Sequence, residues 1–294
     1  MQKLTKLLNA SHNIFLSEKT KKKSEILIIK IAIVSFVLHL LLIVLVDFKV
    51  LQVSDTSGLL QNPIVTIYTP FSFILIYEVY LLVYYLPKSI NKYIGKQYEI
   101  VALILIRRIF KDLSKIQFTP DWFEIKGDLQ FTYDIVATII LFYLIFYFYK
   151  LNERKDEKPV LTPEIVTFIE TKKNIATVLV PVLLILATYS FTSWIYENFI
   201  TVNKIVGAIR DINKIFFDEF FTILILTDVL LLLISFFHTD QFSKVIRNSG
   251  FIISTILIKL SFGVDGLLNT VMTVVAVFIG VIILRIHNQY DKLE

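Results

Sequence analysis

Six ionisable side chains, Glu78, Arg107, Arg108, Asp134, Asp228 and Lys259, stand inside stretches that otherwise read as Leu, Ile, Val and Phe. A charge placed in such a run loses its hydration, so it must pair, meet water or take part in transport. Carboxylates beside guanidinium and ammonium groups can fix helices in register as buried ion pairs, or serve as stepping stones for an ion or a proton. Chain order names the partners. Glu78 on the preceding segment and Asp134 on the following one are expected to serve Arg107 and Arg108, while Asp228 and Asp265 serve Lys259. The basic residues at 107, 108, 111 and 115 do not repeat every third position over several turns, which argues against a voltage sensor.

A second pattern lies near the C-terminus. Gly266, Asn269, Thr270, Thr273, Val277 and Gly280 fall at i, i+3, i+4, i+7, i+11 and i+14 of a Leu/Val/Ile segment. Helical spacing puts them on one face. A small, polar face of this kind either packs closely on another helix or lines a wet passage. Asp265 stands at its outer mouth, where copies around an axis would form an acidic ring favouring cations. Asp134, Thr138 and Leu141 make a lesser stripe that would line or support the same route.

Other chemistry has no residues to carry it. The histidines, His12, His39, His238 and His287, are scattered without metal-ligand spacing. No nucleophile elbow, phosphate-binding loop or dinucleotide glycine motif occurs. Zero cysteines exclude disulfides, thiolate metal sites and cysteine nucleophiles. No enzyme activity, cofactor or metal is expected, and His39 is expected to bridge two helices.

The elements that must position these residues follow from composition. Hydrophobic residues make up 55% and charged residues 19%, against about a quarter charged in soluble domains. The apolar residues fall in blocks of roughly 20, the length that crosses a hydrocarbon core. The fold class is therefore an all-α polytopic membrane protein. Strong spans are predicted at 25–46, 64–86, 129–149, 174–199, 219–237 and 266–285, with weaker, basic ones at 99–113 and 249–262. If both weak stretches cross and the N-terminus is cytoplasmic, the inner segments hold 19 of the 30 Lys and Arg residues, as the positive-inside rule requires. Eight transmembrane helices with both termini cytoplasmic is the resulting topology. The first apolar run is longer than a signal-peptide core and lacks a small-residue cleavage site, so no cleavable leader is expected.

The two halves resemble each other. FILIYEVYLLVYYL at 73–86 matches FTILILTDVLLLLISF at 221–236, aligning Glu78 with Asp228. LILIRRIFKDL at 103–113 matches TILIKLSFGVD at 255–265, aligning Arg107 with Lys259. Asp134-x-x-x-Thr138 parallels Asn269-x-x-x-Thr273. Two tandem four-helix repeats of the same orientation are expected, at 24–150 and 174–294. A basic segment (1–23) precedes them, and a linker (151–173) joins them. Thr162-Pro163-Glu164 in that linker is a helix-start signal.

The expected activity is that of an ion channel or pore, homo-oligomeric, favouring cations, with the last helix or the fourth facing the central axis. Lys19, Lys21, Lys22 and Lys23 anchor the inner face and offer contacts to an anionic ligand, a lipid headgroup or a cytoplasmic regulator such as an acidic protein, nucleotide or nucleic acid. Lys-, Ile- and Phe-rich usage points to a bacterial inner membrane, where a channel held closed by a partner would suit a stress or anti-phage effector. A secondary transporter and a non-conducting scaffold or signalling protein are the alternatives. Few helix-breaking residues, Pro70, Pro181 and Gly280, fall within spans, which disfavours the broken helices of carriers.

Overall fold

The structure is a computed structural model that describes residues 10–50, 63–113, 126–153, 163–195, 212–236 and 242–293. Among these residues every regular element is helical. The long helices are α1 (Glu18–Asp47), α2 (Tyr68–Tyr85, entered through a 3-10 turn at Pro63–Ile67), α3 (Ile90–Leu113), α4 (Lys126–Asn152), α5 (Pro163–Ile195), α6 (Ile212–Phe236), α7 (Phe242–Phe262) and α8 (Leu267–Tyr290). Five of them, α1, α4, α6, α7 and α8, are long and apolar enough to cross a membrane.

Local chemistry sets the ends. Ser17 caps α1, its hydroxyl oxygen accepting the Thr20 amide at 3.1 Å. At the other end Lys49 takes φ +57°, and the amides of Lys49 and Val50 return to the carbonyls of Val46 and Leu45, a Schellman closure. Lys19–Lys23 thus form the opening turns of α1. The predicted start at Thr162-Pro163-Glu164 coincides with Pro163 as the first residue of α5; Thr162 itself lies outside the described residues. The second part of the expected linker, 163–173, is continuous with the span it leads into. Residues 154–162, and the connection between α5 and α6 at 196–211, lie outside the described residues.

Each helix packs on the next within the first four and within the last four. The two sets meet where α4 packs along α8, where α3 touches α7, and where α2 touches α5. This seam holds large fully buried side chains, including Tyr98, Phe148 and Phe251. The outer surfaces carry exposed Leu, Ile, Val and Phe, most densely on α1, where Ala32 and Ile43 are the buried residues. An exposed apolar exterior of this extent belongs against lipid. His39 joins α1 to α2 through Nδ1, 2.6 Å from the Thr69 hydroxyl.

Candidate functional site

Of the charged and polar residues singled out by spacing, Arg108, Asp134, Asp228, Asn269 and Thr270 fall in two clusters on the seam. The first lies near one end of the bundle. Arg108 on α3 meets Asp134 on α4 through Nε and Nη2, each 2.5 Å from a carboxylate oxygen. Its Nη1 donates to the Asn269 amide oxygen on α8, also at 2.5 Å, and Nη2 donates to Thr270 at 2.8 Å. The Gln130 amide donates to Asp134 at 2.8 Å, and Thr270 donates to Asp134 at 2.7 Å. Asp134 is fully buried, while the Arg108 side chain keeps 27% of its exposure. The planar guanidinium suits this role because it offers parallel donors to one carboxylate and still reaches a third helix.

Asp134 and Asn269, aligned in the sequence repeat, bind opposite edges of that one guanidinium. Their local geometry is also shared. Thr138 donates to the Asp134 carbonyl at 2.7 Å, and Thr273 donates to the Asn269 carbonyl at 2.8 Å. Asn269 further donates to the Ser261 carbonyl at 2.5 Å, tying α8 to the end of α7.

The second cluster lies deeper. The Gln97 amide nitrogen on α3 donates to Asp228 on α6 at 3.2 Å, and its oxygen accepts from Thr255 on α7 at 2.7 Å. Those partners fix the amide orientation. Ser254 donates to the Ala276 carbonyl at 2.7 Å, which leaves Tyr98 as the donor in the 2.9 Å bond between Tyr98 and Ser254. Leu105, Leu141, Ile258 and Val277 are buried apolar residues on these four helices, at different depths along the seam.

The stripe on α8 is buried inside the chain. Asn269, Thr270, Thr273 and Val277 are at most 5% exposed. Gly280 is approached so closely by Tyr98 that an added Cβ would lie 1.6 Å from its hydroxyl oxygen. The face expected to look onto an oligomer axis is engaged by α3, α4 and α7, because its polar groups find hydrogen-bond partners there. Gly266 precedes α8 with φ +71°, a conformation that favours glycine. Asp265 beside it is exposed.

Several expected pairs differ. Arg107 is buried, but adjacent residues on a helix point about 100° apart, so Arg108 alone meets Asp134. Glu78 does not join the arginines: it lies within the electrostatic field of Lys96, Glu99 and Glu25. Glu99 in turn accepts from both Lys96 and Tyr149. Asp228 pairs with Gln97, not with Lys259, which sits in the last turn of α7 where a cation complements the helix dipole. Lys21 lies over the Tyr84 and Tyr85 rings, 5.2 and 5.6 Å from their centroids, while Lys19, Lys22 and Lys23 are exposed.

Sequence reasoning passed over Gln97, Tyr98, Gln130, Ser254, Thr255 and Ser261. Gln130 had a signal: it precedes Asp134 and Thr138 at spacings of four, as Asp265 precedes Asn269 and Thr273. Comparison with known protein families, with characterised proteins and with solved structures finds no match.

Proposed function

We propose that the chain is an ion-conducting membrane protein whose path follows the seam between its first and last four helices. The observation that carries this reading is the buried polar line itself: Arg108, Asp134, Asn269 and Thr270 near one end, then Gln97, Asp228 and Thr255 deeper in, with an apolar band between. Ionisable residues at membrane depth are costly and mark ion or proton routes. Buried Leu, Ile and Val between polar stations supply the apolar stretch that a dewetting gate requires. All eight helices then cross the bilayer with both termini cytoplasmic. The halves are four-helix repeats about a pseudo-two-fold axis, a reading supported by the α3–α7 and α4–α8 contacts between corresponding helices. Asp265 at the exposed mouth, with Asp134 and Asp228 inside, favours cations. A bacterial inner membrane and control by a cytoplasmic partner belong to the same proposal.

A second reading, a secondary transporter, is favoured by one feature. The polar stations lie inside a single chain between two similar halves, where alternating access would rock one half against the other. Planar-bilayer recording in asymmetric KCl tests both. Discrete openings with cation-selective reversal, reduced in Asp134→Asn and Asp228→Asn proteins that elute as the wild type does, support the channel. Saturable flux in proteoliposomes without resolvable openings supports the transporter. Absence of both from folded, correctly oriented protein overturns the proposal.

A further inference from the structure

Two cations, the buried Lys172 in the third turn of α5 and the half-buried Arg247 in the second turn of α7, have no carboxylate within ion-pair distance among the described residues. Lys172 is 8% exposed, and its hydrogen bond is a 3.3 Å contact to the Lys88 carbonyl in the α2–α3 turn. Arg247 uses neutral partners: Nη1 reaches His287 Nε2 at 3.0 Å, and Nε and Nη2 reach the Asn248 oxygen at 3.2 and 3.1 Å. An ammonium has three donors and a guanidinium five, so each group keeps two without a hydrogen bond, the Lys172 ammonium lying also 4.9 Å from the centroid of the Phe168 ring. Lys172 lies within the electrostatic field of both Arg247 and Asp228. Asp228 can offset one positive charge, which leaves the other uncompensated.

Two buried hydroxyls there lack a hydrogen bond of normal geometry. Tyr93, 3% exposed in the first turn of α3, has its hydroxyl close to Asp228 but without a hydrogen bond of normal geometry. Ser243, 2% exposed and one turn before Arg247 on the same face of α7, has a buried hydroxyl with no partner. Both helices begin at this end, so their positive dipole ends point the same way. Buried cations and buried hydroxyls normally find partners.

We infer that Lys172 and Arg247, with the Tyr93 and Ser243 hydroxyls, bind a phosphate-bearing anion at the inner ends of α3, α5 and α7. A phosphate group matches this set because several acceptor oxygens on one centre can reach cations and hydroxyls from three helices together. The group could come from a soluble phosphate compound or from the headgroup of an anionic lipid. Because the readout is binding, it stands or fails separately from ion conduction.

The test uses the full-length protein in phosphatidylcholine nanodiscs. Its melting temperature is measured with inorganic phosphate against chloride at equal ionic strength, and again in nanodiscs containing phosphatidylglycerol. The expected result is a higher melting temperature in one of the two arms, lost in Lys172→Met and Arg247→Met. A shift with phosphate assigns a soluble ligand; a shift with phosphatidylglycerol alone assigns a headgroup. Tyr93→Phe preserves shape and should weaken the effective affinity about tenfold, so the inference stays testable if a charge variant misfolds. No shift in either arm, or equal shifts in wild type and Tyr93→Phe with either charge variant, overturns it.

Discussion

Replacing Asp134 by alanine should expose how much the seam depends on its carboxylate. Arg108 would keep Asn269 and Thr270 but lose both of its charged hydrogen bonds, and Gln130 and Thr270 would each lose an acceptor. Removing one member of a buried pair costs about 3–5 kcal/mol, because the remaining charge is left desolvated. Water reaches part of the guanidinium, whose side chain is 27% exposed, so the lower end, about 3 kcal/mol, is expected. Helicity followed through an SDS titration in mixed micelles measures the change. The double variant Arg108→Leu/Asp134→Leu removes both charges and should recover most of the loss, ending within about 1 kcal/mol of wild type. A nearly neutral Asp134→Ala, or a double variant no better than the single one, would show that the Arg108–Asp134 pair does not hold the seam.

Other expectations follow from single contacts. Gly280→Ala should destabilise by about 1–3 kcal/mol in the same titration, as overpacked cores do; Tyr98→Phe should relieve it only in part, because Cζ would still lie 2.6 Å from the new methyl. The Tyr84 hydroxyl and, less strongly, Lys88 hold the Glu18 carboxylate below its ordinary value of 4.5. A depressed folded-state value means the contact supports the α1–α2 packing fully above that pH and loses its effect as the pH falls below it, read as faster amide exchange at 14–23 with no such change in Glu18→Gln. For topology, a membrane-impermeant thiol reagent on intact cells should label Asp265→Cys, and should label Lys19→Cys and Tyr290→Cys only after permeabilisation. The absence of native cysteines makes that readout clean.

Helix type and the inventory of buried polar residues were legible in the sequence, because apolar blocks and their interruptions are strong signals. Pairing was legible only where hairpin register agreed with chain order. Residues equidistant from a turn lie level in an antiparallel pair, so counting across the α3–α4 connection brings Arg108 close to Asp134. Across the α2–α3 turn, Glu78 comes level with Gln97, which leaves Arg107 roughly 15 Å further along. Across α6–α7, Asp228 comes level with Gly250, and Lys259 lies roughly 13 Å beyond. Chain order alone suggested those two pairings, and register separates them. The stripe on α8 was legible as a face, but sequence alone did not show which helices it meets. That depended on contacts between the two halves, where Tyr98 fills the space at Gly280 and Arg108 reaches Asn269.

The proposed ion path runs between the halves, past the buried Leu105, Leu141, Ile258 and Val277. It is tested most directly by recording current from Val277→Cys while a charged thiosulfonate is added, with Phe278→Cys, on the exposed apolar face of the same helix, as the control. Modification at 277 should block the current, reduction should restore it, and the 278 protein should be unaffected. A conducting protein whose current is indifferent to modification at 277, or is blocked equally from 278, would contradict it.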